Sequence, residues 1–307
     1  MSDDEKAKNA HAFWRQIDDI KSTDVSPERT KAFSSEDDFN GLSVEILIEV
    51  GSYIVVAANL LSADTRRWNR DQAILGGHLV RLYKLISALL DQICQRRREI
   101  TFIVSRLAFE CIVNLRFLLA KTDRSNFDSY VRYSLRQERR LFEVIHKHIE
   151  ERNGEILPVE DRMLRSIDRT MKASGVSISD LSKSQPKNWA EKNLHEKAEE
   201  VGLGKAYLGV FGGPSASVHG NWMDLLEFHL ETHEDDESFS PNLRWRNPRP
   251  QIAQTVALLA TDVVREYFVH VFGEPIDALE DRFDNLSNRI LQAMESHEAF
   301  LIATNAN

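Results

Sequence analysis

The sequence predicts an all-α fold, a multi-helix bundle of about seven to nine helices. Glycine and proline are scarce, 13 and 8 residues among 307, which disfavours a turn-rich β fold. Apolar residues recur at three- and four-residue steps over long windows, the period of a helix face. The breaks in that pattern coincide with Gly, Pro and Asn, which end helices. A hydrophobic content of 42% belongs to a chain with a packed core and not to a disordered one.

A short helix is expected near residues 5–21, anchored by His11, Phe13, Trp14 and Ile17. Residues 22–37 are polar and include Pro27, so residues 1–37 read as a helical arm and linker. The main bundle is expected over 38–272. It opens with VEILIEVGSYIVVAANLL, apolar on most sides. HLVRLYKLISALLDQICQ follows, with Leu79, Leu82, Leu85, Ile86, Leu89 and Ile93 at helical spacing. Arg96, Arg97, Arg98 and Glu99 mark a break before TFIVSRLAFECIVNLRFLLAK. A charged fourth helix over 126–152 stops at Asn153-Gly154. Residues 155–200 read as a mobile polar excursion with helical pieces near 158–174 and 188–200. Apolar helix returns over 203–231, interrupted at Gly212-Gly213-Pro214, and HEDDESFSPNLRWRNPRP is expected as a loop before a helix over 250–272.

The final stretch, 273–307, is expected to form one helix starting at Pro275, a favoured first-turn position. Asp277, Glu280 and Asp281 suit the positive end of its dipole. Leu279, Phe283, Leu286, Ile290, Ala293, His297 and Phe300 alternate steps of four and three. That seam packs on its own bundle or joins two copies in a homodimer, and the spacing leaves both open.

The net charge of −9 is uneven, with a basic middle over 64–172 between acidic flanks. Such a middle suits an anionic partner, a small ligand or RNA, or complementarity within the chain. Cys94 and Cys111 sit inside apolar helical patterns and read as reduced residues of a reducing compartment. The N-terminus, MSDDEKAKNA, is too polar for a secretory signal. The most apolar run, 50–63, is shorter than the ~20 residues a membrane span needs. A cytoplasmic location with no membrane partner is expected. There is no Walker loop, no Gly-x-Gly-x-x-Gly and no zinc-ribbon cysteine pattern, so no cofactor is expected. His229-x3-His233, close to Glu231, Glu234, Asp235 and Asp236, lacks a further well-placed zinc ligand, and no metal is expected.

The most informative polar residues lie in the third long helix. Arg106, Glu110 and Asn114 follow one another at four-residue steps in otherwise apolar surroundings. A buried arginine must be paired, and Glu110 is within its reach. A second line, Ser215 and His219, shares a helical face with Val218, Trp222, Leu225, Leu226 and His229, while Asn221, Asp224 and Glu227 point elsewhere. That places His219 on the core side. Gly213-Pro214 provides a turn, the adjoining helix N-terminus suits an anion, and Tyr207 adds a phenol. Together these residues predict an internal polar pocket. Asn114, Tyr207 and Ser215 would bind ligand, His219 would act as general base, and Arg106 with Glu110 beside it would stabilise developing charge. A network that only fixes helix register would use the same residues.

The pairing of RLAFECIVNL (Arg106, Glu110, Asn114) with Tyr-x7-SASVHGNW (Tyr207, Ser215, His219, Gly220) resembles an uncharacterised family of bacterial helical proteins, a domain of unknown function, over about residues 45–270. The resemblance implies a helical bundle with a shared internal polar site and no assigned activity. The arm and the terminal helix fall outside it. On the fourth helix, SLRQERRLFEVIHKH places Arg139 or Arg140 ahead of His146 in an arrangement similar to the motif of the HEPN helical nucleases. That resemblance implies metal-independent RNA cleavage across a dimer, in a toxin or phage-defence effector, with Arg132 and Arg136 gripping phosphates. A solvated charged helix face has the same composition, and Leu141 follows Arg140 where the motif carries a polar residue. The leading expectation is therefore a regulatory or ligand-binding module, and the alternative is a HEPN-like endoribonuclease.

Overall fold

Capping chemistry sets the helix ends along the first part of the chain. The computed structural model describes residues 3–60, 67–181, 187–233 and 238–305. After α1 (Asp3–Asp18) the polar connection contains a short helix, α2 (Pro27–Lys31), begun by the Pro27 ring. The Asp38 carboxylate accepts the N–H groups of Ser34 and Ser35 at 2.8 and 2.9 Å and opens α3 (Glu36–Asn59). Asn69 and Gln72 bond each other's backbone N–H groups at 2.9 and 3.0 Å. This capping box opens α4 (Arg70–Cys94). Arg96, in the left-handed region with φ 57, turns the chain into α5 (Arg98–Ala120) at the break expected there.

Trp68 fixes the start of α4. Its indole Nε1 donates to the Leu60 carbonyl at 3.4 Å, and a Cβ on Gly76 would lie 2.5 Å from the ring. Gly76→Ala is therefore expected to cost about 1–3 kcal/mol through overpacking, seen as a lower urea midpoint. An unchanged midpoint would mean that the indole moves aside freely.

The chain divides into two compact units, Met1–Ala120 with Lys197–Asn307, and Lys121–Glu196. The second unit holds α6 (Arg124–Ser134), α7 (Arg136–Glu151) and α8 (Pro158–Ser174). The single helix expected over 126–152 is two, divided at Leu135, whose side chain is buried. No glycine or proline marks that bend. Asn153 and Gly154 end α7 in the left-handed region, φ 57 and 93, and Pro158 and Gly175 bracket α8. Phe127, Ile145, Ile167, Met171, Leu181 and Trp189 form the core of this unit. The Ser129 hydroxyl accepts the Ala190 N–H at 2.9 Å, where the backbone has φ 52.

Beyond α9 (Leu194–Glu200), the first unit resumes with α10 (Gly204–Tyr207), which runs into a π-helical turn, Leu208–Gly212. Then come α11 (Ser215–His219), α12 (Trp222–Asp224) and a second π turn, Leu225–His229. The stretch expected as a loop contributes to a small hairpin, β1 (Leu230–His233) antiparallel to β2 (Ser238–Pro241), with Leu230 opposite Pro241. The chain closes with α13 (Pro250–Phe272), started by Pro250 and ended by Gly273 at φ 83, and α14 (Asp277–Asn305).

The all-α class is as expected, but the helices outnumber the seven to nine foreseen. The excess comes from α2, from the division at Leu135 and from the short pieces between 204 and 229. Helices α3, α4, α5 and α13 pack into a ring, with α3 and α5 each between α4 and α13. Leu42, Ile46, Leu79, Leu82, Ile112 and Val263 are wholly buried inside it. On this ring α14 packs against α13 and α3, with Leu279, Phe283, Leu286, Ile290, Ala293 and His297 all buried. The heptad-like seam is thus occupied within the chain. By length and composition α3 and α4 are each apolar enough to cross a bilayer, a pair that the run over 50–63 did not foretell. The apolar window of α3 is 61% buried and that of α4 39%, so core burial accounts for the composition of α3 and only in part for that of α4.

Candidate functional site

Four-residue steps along α5 align Arg98, Phe102, Arg106, Glu110 and Asn114 into one ridge. Segments from the 204–249 stretch pack on that ridge. The Arg106 guanidinium carbon lies 4.3 Å above the Phe211 ring, a cation–π contact worth ~0.5–1 kcal/mol at a partly exposed site. Its Nε is buried and has no hydrogen-bond partner among the described residues. Tyr207 joins the same cluster, 4.9 Å from Phe211 and 6.2 Å from Phe109 between ring centroids. Burial raises the Tyr207 phenol above its ordinary range, with the Arg106 charge opposing and Glu110 adding to the rise.

Several sequence expectations need correction here. Arg106, Glu110 and Asn114 do form one line, but each is half-exposed, so the site is an open face and not an internal pocket. No ion pair joins Arg106 to Glu110 among the described residues, because the arginine lies on Phe211 instead. The Ser215 hydroxyl donates back to the Phe211 carbonyl at 2.7 Å. His219 is exposed, since Gly220 at φ 58 ends α11 directly after it. The helix does not continue from 215 to 229, and a face drawn across that interval has no physical counterpart. No hydrogen bond or ion pair links His219 to Arg106 among the described residues.

The two π turns rearrange this region in a way that a 3.6-residue period conceals. In a π turn the backbone bonds run from residue i to i+5, as Gly213 N–H to Leu208 O does at 2.8 Å. The second turn places Asp224 and His229, five apart, side by side with Nε2 3.3 Å from Oδ2. Asp224 is buried and Trp222 exposed, the reverse of the expected faces. The other Asp224 oxygen, Oδ1, is buried without a hydrogen-bond partner among the described residues. This carboxylate–imidazole pair was missed by sequence reasoning. Its only signal there was a five-residue spacing that means nothing in a regular α-helix.

In the second unit, Arg139 donates to Glu143 at 3.0 Å and to the Leu181 carbonyl. Arg132 donates to the Asp180 carbonyl at 2.9 Å, and Arg136 lies 3.6 Å over the Tyr133 ring. The arginines proposed to grip phosphates are thus engaged with their own unit, while Arg140 is exposed. His146 is also exposed and rests 4.1 Å from the Phe142 ring. Phe142, Leu164, Ile167, Met171, Val176 and Ile178 line a cleft of about 470 Å³, rimmed by Asp168, Lys172 and Asp180. Asp168 and Lys172 pair with each other at 2.8 Å.

His233 sits on β1 with its Nε2 2.8 Å from the Ser240 hydroxyl, so it shares no helical face with His229. Glu234, Asp235 and Asp236 lie outside the described residues. Among the described residues, no group of three or more His, Cys, Asp or Glu is placed to hold a metal.

A family model described as a family of unknown function, DUF5677, matches residues 72–238, more than half of the chain. The match spans α4 to the start of β2 and includes every residue of the Arg106 cluster. No curated protein and no solved structure matches the chain.

Proposed function

We propose that this chain, which belongs to the family of unknown function DUF5677, is a regulatory or ligand-binding module that holds a small anionic ligand on the α5 ridge. The observation that supports this is Arg106, held over the Phe211 ring with no carboxylate partner among the described residues and a buried, unpartnered Nε. A guanidinium with no internal counter-ion suits a carboxylate or phosphate, which it grips in bidentate fashion. Tyr207 lies on the same cluster, and Asn114 continues the ridge. Glu110 beside the site selects against a ligand carrying excess negative charge at that end.

Thermal unfolding in the presence of inorganic phosphate, citrate and the common nucleotides tests the proposal. A ligand at 100 times its Kd adds about 2.7 kcal/mol, or roughly 5 °C in Tm. The rise should vanish in Arg106→Met. A melting curve unmoved by every compound, or a rise that persists in the variant, contradicts the proposal.

A further inference from the structure

A second face, two turns along α5 from Arg106, concentrates positive charge around one carboxylate. Arg98 starts α5, and its backbone N–H donates to the Arg246 carbonyl at 3.1 Å while its Nε donates to the Asn247 carbonyl at 2.6 Å. These bonds bring the segment 242–249 against the helix N-terminus. Glu227 then serves two guanidinium groups, Arg246 at 2.8 Å and Arg98 at 3.9 Å. Arg249 adds a third charge, close enough that it and Arg246 weaken the hold of Arg98 on its proton, after burial as the main cause. Arg249 itself is exposed. Two of these guanidinium groups thus share Glu227, Glu36 adds a second, more distant negative charge near Arg98, and Arg249 has no carboxylate partner among the described residues, in a chain whose net charge is −9.

Beside this cluster stands Trp245, 53% exposed, with the Arg97 guanidinium 5.1 Å from its ring. The indole is held on one side and open on the other. An exposed tryptophan with an arginine against its ring is a stacking platform for a base that has no paired neighbour.

We propose that this face binds single-stranded nucleic acid, with phosphates on Arg246 and Arg249 and a base stacked on the open side of Trp245. Arg98 stands behind them and raises the local positive potential. The site is independent of the Arg106 ligand face. An acidic peptide would satisfy the arginines but leave the indole without a partner, and a duplex would offer it no unstacked base.

Fluorescence anisotropy of a labelled 15-nucleotide oligouridylate with the full chain tests this. Two to three phosphate contacts predict that affinity falls about 7- to 18-fold between 50 and 200 mM KCl. Trp245→Ala should weaken binding at least ~5-fold with the salt dependence unchanged. Arg249→Ala, at an exposed position, should weaken it and lower the salt slope by about 0.7. Arg246→Ala is read alongside them, with its melting curve checked because Glu227 and Phe228 contact the side chain. Binding that is absent, that neither Trp245→Ala nor Arg249→Ala weakens, or that polyglutamate competes away as well as unlabelled oligonucleotide overturns the proposal.

Discussion

Glu49→Ala is expected to destabilise the chain by about 3 kcal/mol, because it strips the counter-ion from a largely buried guanidinium. The Glu49 side chain is 1% exposed and accepts two bonds from Arg289 of α14, at 2.8 and 2.5 Å. It also accepts the Thr23 N–H at 2.8 Å, while Arg289 donates to the Thr23 carbonyl at 3.0 Å and to Asn285 at 2.8 Å. One carboxylate thus ties α3, the connection after α1 and the last helix together. Removing it leaves a charge and a backbone N–H without their partner. The exposed Arg29–Glu45 pair provides the contrast, since Glu45→Ala should cost under ~1 kcal/mol. Replacing both Glu49 and Arg289 with leucine and methionine should recover much of the loss. Urea unfolding of the three variants beside wild type measures this, and equal midpoints for Glu49→Ala and Glu45→Ala would contradict it.

The second large effect is a loss of stability in mild acid through His78. Its imidazole is buried between α4 and α5, with Nδ1 3.6 Å from the Cys111 sulfur and its own carbonyl accepting from that sulfur at 3.3 Å. Burial, aided by the Arg81 charge, lowers His78 from 6.5 to about 4, and burial pushes the Cys111 thiol up to about 12. Above 6.5 the imidazole is neutral whether the chain is folded or not, and stability is at its full value. As pH falls from about 6.5 towards 4, the unfolded chain takes up a proton that the folded one refuses. The difference amounts to about 3 kcal/mol. His270 and His297 are lowered in the same direction, chiefly by burial. Between pH 7 and 4 the unfolding free energy of wild type should fall by about 3 kcal/mol more than that of His78→Leu, and parallel profiles would contradict the assignment.

Much of the helical frame was legible because its ends carry their own chemistry. Pro250 and Gly273 delimit α13, Pro158 and Gly175 delimit α8, and Arg96 marks the turn before α5. The Arg106–Glu110–Asn114 line was visible as a four-residue spacing on an apolar helix, and it does lie along one ridge. What that spacing could not supply was the partner. Residues four apart are able to pair, yet Phe211, distant in sequence, offers Arg106 a closer surface. Between 204 and 229 the reading failed for a single reason. Two π turns and the left-handed Gly220 break the 3.6-residue register, so residues assigned inward, such as His219 and Trp222, face solvent, and Asp224 is buried. The hairpin escaped because its strands are only four residues each, and β1, Leu230–His233, carries no alternating pattern. Arg98 was recognised as a boundary residue, but its place as the first step of the ridge depends on the 246–247 carbonyls that fold back onto it.

If Arg106 is held for a ligand and not for the fold, the unliganded chain should scarcely need it. Urea denaturation of Arg106→Met beside wild type, with no added anion, measures this directly. The cation–π contact and the unpartnered Nε predict a difference within ~1 kcal/mol of zero. A loss of ~3 kcal/mol or more, the cost of breaking a buried charge network, would mean that the arginine holds the bundle together and that the ligand face does not exist.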